Sequence, residues 1–424
     1  MTANLKKDLA DFLSNARFRA NQEYELVLFD RLTSGEQEMF GDLQKQANFY
    51  GILRPSESSG LSVKSVSQDT ALLYLSLREP GRLPGYARTL GGQNFATAIA
   101  KFVIDQVLEI ENDGEFVSGA KAYELFYGTS TSKEARTRIG QLSTNALRYG
   151  QALSVTDISE LSMRLYHYHG IPVSVRWQER LERPEKVAEL LGVGPKGQHS
   201  RILRTHWQVT PTQRNKDSKN GANGHHHEHE VGNSQAESEN FVSWLSWVSR
   251  KSQPQTSKTK STFKLYISPL PEFISEVFGI AFNTLAKTNA FHMKVGADAQ
   301  GLLRPDKMVA YFSTQEDLRE ASQALAKELD GCPPHGVPFT AEISGDGLLS
   351  WGVDPPETKQ LLSWKPQESW RLWLTNRLAN ALLSAGNSRA DESGGLEPWQ
   401  YAMERLSLEG VDTESWTPAQ KLWH

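Results

Sequence analysis

Cysteine is almost absent. The 424 residues contain one, Cys332, so no internal disulfide can form, and a reducing cytoplasm is the expected compartment. Its Gly-Cys-Pro-Pro-His setting reads as a turn, with no base placed to make the thiol a nucleophile. No apolar run approaches the roughly 18 residues of a membrane span, and the start from Met1 to Asp8 lacks the apolar stretch of a signal peptide, so no membrane partner is expected. Charge of one sign is missing too. The 46 Lys and Arg against 50 Asp and Glu leave −4, which gives no global field to attract nucleic acid. There is no internal repeat, and Gly192-Val-Gly-Pro-Lys-Gly lacks the Gly-Lys-Ser/Thr ending of a phosphate loop. The histidine-rich run His225 to Glu230 lies in low-complexity sequence without a second ligand set, so adventitious metal binding is the expectation, and neither a resident metal nor a cofactor is implied.

What is present fits a globular chain. At about 150 residues per domain the length allows roughly two to three domains. The apolar fraction of 38%, raised by 32 glycines, is ordinary for a folded protein. The strongest compositional break runs from Thr210 to Ser238, too polar to offset chain entropy by burial. A short apolar patch from Phe241 to Val248 interrupts it before a second polar stretch from Ser249 to Thr262, and the patch is expected to dock on a neighbour. The expected division is therefore a mainly helical docking part over 1–208, a polar linker over 209–262, and a third part over 263–424. The last holds 14 Lys and Arg against 21 Asp and Glu, with five of the basic residues between Lys264 and Tyr311.

Apolar spacing predicts helices over Leu5 to Ala20, Phe95 to Glu109, Lys133 to Leu153 and Asp157 to Gly170, where Tyr166-His-Tyr-His169 would cap the end. Ala71 to Leu77 alternates as a half-buried strand would, and Pro84 to Gln93 reads as a glycine-rich loop. From Phe263 the rhythm changes. Strands are expected over Phe263 to Ser268, Ala290 to Val295, Lys307 to Phe312, Phe339 to Ile343 and Leu348 to Val353. Helices are expected over Pro271 to Thr288, Gln315 to Leu329 and Trp370 to Ala385, the last ended by Gly386. The fold class is α+β, with a mixed, largely antiparallel C-terminal sheet carrying helices on one face. Tryptophans from Trp364 to Trp373 recur near helical spacing and read as core or interface packing.

Residues two apart in a strand share a face, so Lys264 and Tyr266 point one way, as do His292 and Lys294. Arg304, Asp306 and Lys307 lead into a strand bearing Tyr311. If these strands meet, the shared surface suits phosphate, and a desolvated lysine can serve as a base near neutral pH. The plainer account is that such residues on strand edges are solvated and guard against edge pairing.

The blocks Phe-Lys-Leu-Tyr-Ile-Ser-Pro from Phe263, Ala-Phe-His-Met-Lys-Val-Gly from Ala290 and Gly-Leu-Leu-Arg-Pro-Asp-Lys-Met-Val-Ala-Tyr-Phe from Gly301 resemble the HopA-type effector domain family. So do Gly-Val-Pro-Phe-Thr from Gly336, Leu-Leu-Ser-Trp-Gly-Val-Asp-Pro-Pro from Leu348, and the later Trp-Arg-Leu-Trp and Glu397-Pro-Trp blocks. The resemblance covers roughly the last 160 residues and, more loosely, Asp157 to Trp177. It implies the lyase component of a two-protein Ser/Thr dehydratase in ribosomal peptide biosynthesis, in the setting of class V lanthipeptides and thioamitides. A kinase-like phosphotransferase subunit would phosphorylate the precursor peptide, and this chain would eliminate the phosphate to leave dehydroalanine or dehydrobutyrine.

The chain is also distantly similar to phosphothreonine lyase effectors, whose Lys-x-His strand is matched by Lys264-Leu-Tyr266 with tyrosine in the histidine place. Under that likeness Lys294 is the base and Lys264 the cation that stabilises enolate-like charge. Arg304 and Lys307 hold the phosphate, and Tyr266, His292 or Tyr311 donates a proton. The alternatives are a non-catalytic phosphopeptide- or kinase-binding subunit and an effector-like protein.

Overall fold

Alternating apolar positions in the second half of the chain assemble an antiparallel sheet, and everything proposed for the site depends on which way each strand faces. The computed structural model describes residues 2–57, 59–129, 135–210, 244–251, 262–355, 368–388 and 395–418. The fold is mixed α+β. The chain forms two compact units, one of Met1–Ala135, Ser143–Tyr166 and Pro355–His424, the other of Arg136–Leu142 and His167–Asp354. This division differs from the compositional boundaries at 208 and 263.

In the second unit the strands are β1 (Trp207–Val209), β2 (Trp244–Ser249), β3 (Phe263–Ile267), β4 (His292–Gly296), β5 (Met308–Phe312), β6 (Ala341–Glu342) and β7 (Leu349–Val353). Among the described residues they form one sheet in the order β6-β7-β3-β5-β4-β2-β1, every neighbouring pair antiparallel. The helices α1 (Ile274–Leu285) and α2 (Gln315–Glu328) cover one face. In α1, Ile274, Val277, Phe278, Ala281, Phe282 and Leu285 recur at helical spacing and are buried. They share a core with Leu265, Ile267, Met293, Val295, Met308, Ala310 and Phe312 from the sheet and Leu318, Ala321 and Leu325 from α2. Thr314 starts α2 by accepting the Asp317 amide at 3.1 Å, as a helix N-cap does.

The segment from Phe241 to Val248 was expected to dock on a neighbour from within a linker. Its described part is strand β2, hydrogen-bonded between β1 and β4. The cause is aromatic. Trp247 is 3% exposed, with its ring centroid 5.6 Å from Phe278 and 5.4 Å from Phe282, while Trp207 of β1 stacks on Phe282 at 5.5 Å. The patch is visible in the composition, but its place in the sheet is not, because that place is fixed by Trp247 meeting helix residues distant in sequence. The His225 to Glu230 run and Trp364 lie outside the described residues.

The first unit holds three further antiparallel sheets, of two, three and four strands among the described residues, and a long helix, Trp370–Ser388. That helix packs on Ile158–Tyr166: Ser162 Oγ donates to Thr375 Oγ1 at 3.0 Å, and Arg371 Nη2 donates to the Tyr166 carbonyl at 2.6 Å. The helix runs through Gly386, because glycine costs only about 1 kcal/mol inside a helix and cannot end it without a left-handed turn.

Several local expectations are corrected. Ala71 to Leu77 is not a strand but most of the helix Gln68–Ser76, started by Ser67, whose hydroxyl accepts the Thr70 amide at 3.2 Å. Pro84 to Gln93 is mainly the short helix Gly85–Gly91. The helices expected to reach Ala20 and Glu109 stop at Asn15 and Ile104, and the remaining residues pair as strands Arg17–Ala20 and Leu108–Asn112. Phe339 takes a φ of 62°, which shortens the strand expected there to Ala341–Glu342.

Removing the Trp247 ring should be the most damaging change in β2. Trp247→Ala is expected to cost about 3–5 kcal/mol, read as a lower midpoint in a urea titration. A midpoint unchanged from wild type would mean that β2 contributes nothing to the sheet.

Candidate functional site

Register decides which side chains meet. Opposite the helix-covered face, Lys264 lies across from Tyr311, and Tyr311 across from His292. One step along, Tyr266 lies across from Val309 and Val309 across from Lys294, and β2 adds Ser246 beside Lys294. The two lysine strands do not pair with each other, since β5 runs between them. The lysines nevertheless meet over its tyrosine: Lys264 Nζ is 5.5 Å and Lys294 Nζ 5.7 Å from the Tyr311 ring centroid.

The two amines differ in company. Lys264 is nearly buried and forms an ion pair with Asp354, Nζ to Oδ2 2.6 Å. Among the described residues Lys294 makes no hydrogen bond or ion pair, and its contacts are aromatic faces, Trp244 at 4.0 Å and Tyr311. Burial, with the Lys264 and Arg304 charges against it and Asp306 and Asp354 only partly compensating, pushes the Lys294 amine down to about 8. His292 stacks on Tyr311 at 4.7 Å, and burial followed by the Lys294 charge pushes it down to about 4, so it is neutral at pH 7.

Arg304 reaches the same region from the turn after β4. Its Nε and Nη2 each donate to Asp306 at 3.0 Å, and its guanidinium lies 5.3 Å from the Trp244 centroid. The turn is set by backbone contact. Asp298 Oδ1 accepts the Gly301 amide at 2.6 Å and starts the short helix Ala299–Leu303, and a Cβ on Gly296 would overlap the Gly301 carbonyl. Lys294, Lys264, Tyr311, His292 and Arg304 are therefore brought together.

Lys307 and Tyr266 stand differently. Lys307 has no exposed surface, and its ammonium donates to His335 Nδ1 at 2.6 Å, the Pro269 carbonyl at 3.0 Å and Ser268 Oγ at 3.4 Å. Those three acceptors match its three donors, so the expected role as a phosphate clamp gives way in the geometry to a fastening role. Burial pushes Lys307 down to about 7 and His335 down to about 3. Through Nε2 His335 donates to the His169 carbonyl at 2.7 Å, and His169 Nε2 donates to the His335 carbonyl at 3.2 Å. His169, expected to cap its helix, lies beyond that helix with a φ of 69°. Tyr266 is 3% exposed and packs on Val309 and Val337.

Trp244, Asp354 and His335 were not singled out from the sequence. Asp354 carried no local signal, since only the pairing of Gly352 with Lys264 brings it to that amine. Trp244 alternates with Ser246 toward this face. His335 carried none, because its partner Lys307 is 28 residues away. Among the described residues no group of three or more His, Cys, Asp and Glu could hold a metal ion, and no helix is long and apolar enough to cross a membrane.

No family model and no curated protein matches the chain. Among solved structures it is similar to the effector protein from Pseudomonas syringae pv. syringae strain 61, at 16% identity over 68% of this chain and 98% of that one, with a TM-score of 0.37. It is similar to the effector protein from Pseudomonas syringae pv. tomato strain DC3000 at 13% identity, covering 66% and 99%, with a TM-score of 0.37. The type III effector/phosphothreonine lyase OspF from Shigella flexneri is matched at 14% identity over 30% of this chain and 71% of that one, with a TM-score of 0.23.

Replacing Lys307 distinguishes fastening from anion binding. Lys307→Met strands buried acceptors and is expected to cost about 1–3 kcal/mol of stability while leaving affinity for inorganic phosphate within about twofold. A loss of phosphate affinity of about tenfold without loss of stability would return Lys307 to the anion site.

Proposed function

We propose that this protein is a phosphoserine/phosphothreonine lyase. The observation that carries the reading is the Lys294 amine, buried, without a hydrogen-bond or ion-pair partner among the described residues, and flanked by the Lys264 and Arg304 cations. Elimination needs a neutral amine beside a weakly acidic Cα–H, a cation for the charge that develops on the adjacent carbonyl, and a cation for the departing phosphate. Lys294 takes the Cα proton and becomes an ammonium. The electron pair of the broken Cα–H bond forms the Cα=Cβ double bond, and the Cβ–O pair leaves with the phosphate. Lys264 meets the carbonyl charge and Arg304 the phosphate. The donor to the leaving oxygen is Tyr311, because Tyr266 is packed under Val337 and His292 is already deprotonated at any pH where Lys294 is neutral.

The setting that the sequence blocks imply is ribosomal peptide biosynthesis, with a kinase-like subunit supplying the phosphorylated precursor peptide. A second reading, a non-catalytic phosphopeptide- or kinase-binding subunit, is favoured by that same burial of Tyr266, which leaves the usual acid position without an accessible donor.

The test is mass spectrometry of a phosphoserine or phosphothreonine peptide incubated with the protein and no ATP. Loss of phosphoric acid is expected, with Lys294→Ala slower by about 10²–10⁴-fold. An unchanged phosphopeptide, or an active Lys294→Ala, rejects the assignment.

The pH dependence has a fixed sign. Lys294 must be neutral to act and its value is about 8, so kcat/KM should rise about tenfold per pH unit below that midpoint and level off above it. A rate that falls between pH 6 and 8 would exclude an amine base.

A further inference from the structure

Two cations of the site share one indole. Lys294 Nζ stands 4.0 Å from the Trp244 ring centroid and the Arg304 guanidinium 5.3 Å from it. Trp244 pairs with Gly296, so its side chain emerges beside the turn that delivers Arg304 and two residues from the strand position of Lys294. Its neighbour Trp247 anchors the same strand on the helix-covered face. The strand that carries the indole is thus fixed on its other face, while the ring meets both cations.

We infer that Trp244 is the positioning residue that spaces Lys294 from Arg304 and keeps water off the Lys294 amine. The purpose of this spacing rests on the lyase reading, whereas its geometry does not. In an elimination the base acts at Cα and the phosphate departs from Cβ, so the reach between amine and guanidinium is a determinant of the reaction. A single rigid ring touching both sets that reach with little conformational entropy to lose.

The ring acts on the amine in two opposed ways. Covering it removes water, which disfavours the ammonium, and the negative ring face favours the ammonium. Other groups also face the amine: His292 on its own strand, Tyr311 on β5, Lys264 on β3, Arg304 and Asp306 on the turn, and Asp354 beyond β7. These remain when only the ring is changed, so the two effects of Trp244 can be separated by the replacement chosen. Leucine keeps cover and loses the ring face, alanine loses both, and phenylalanine retains both.

The experiment is acylation of Lys294 with acetic anhydride in the full chain across pH, read by peptide mass spectrometry, which requires no turnover. Trp244→Leu is expected to lower the midpoint by about half a pH unit and Trp244→Ala to raise it by at least as much, with Trp244→Phe close to wild type. Midpoints that stay together in Leu and Ala, or move in the same direction, overturn the inference. Should the variants not fold, the wild type decides. Its indole emission, after subtraction of Lys294→Met, should change with pH across the Lys294 midpoint, and a flat difference overturns the inference. Opposed midpoints in a protein that leaves phosphopeptide intact would remove the lyase reading and keep Trp244 as the positioning residue.

Discussion

Strand alternation under a one-sided helical cover is the constraint on which the site depends. Leu265, Met293 and Ala310 must face α1 and α2, so Lys264, Lys294 and Tyr311 must face away. Shifting β3 or β4 by a residue would place a lysine in the apolar layer, where an unpaired charge costs several kcal/mol. The register is therefore enforced by the penalty on the wrong side as much as by the contacts on the right one. Tyr311 lies at the centre because β5 separates the lysine strands, and its ring gives both ammonium groups a common neighbour.

Charge on this face is nearly balanced before any ligand enters. Lys264 is met by Asp354 and Arg304 by Asp306, and Lys294 is the cation with aromatic contacts in place of a carboxylate. On the proposed lyase reading, a phosphate dianion would meet two cations whose carboxylate partners keep them fixed in place and a third group poised between amine and ammonium. Holding cations in this way limits the reorganisation needed when charge develops, which is where electrostatic preorganisation acts.

Much of the sheet was legible because period-two alternation is local. The strand containing Lys264 and Tyr266 and the one containing His292 and Lys294 follow from it, and so does their shared face. The order of strands does not, since nothing local says that β5 comes between them. Lys307 looked like a phosphate ligand because it adjoins Arg304, but its surroundings come from Pro269 and His335, distant in sequence, and they consume its donors. Trp244 was missed for another reason: its patch was visible as apolar, but only the pairing with strands distant in sequence makes it a strand beside Lys294. Ala71 to Leu77 was misread where a run of leucines fits both periods and the deciding signal was the Ser67 cap.

The approach of Gly296 to Gly301 has a consequence for how such a site can vary. No side chain separates the two backbones, so the span from β4 to Arg304 is measured in whole peptide units, with nothing compressible in between. A gain or loss of one residue between positions 297 and 300 would displace the guanidinium by a full residue step. The number of residues in that turn, more than their identity, then sets how far the Arg304 guanidinium stands from the Lys294 amine.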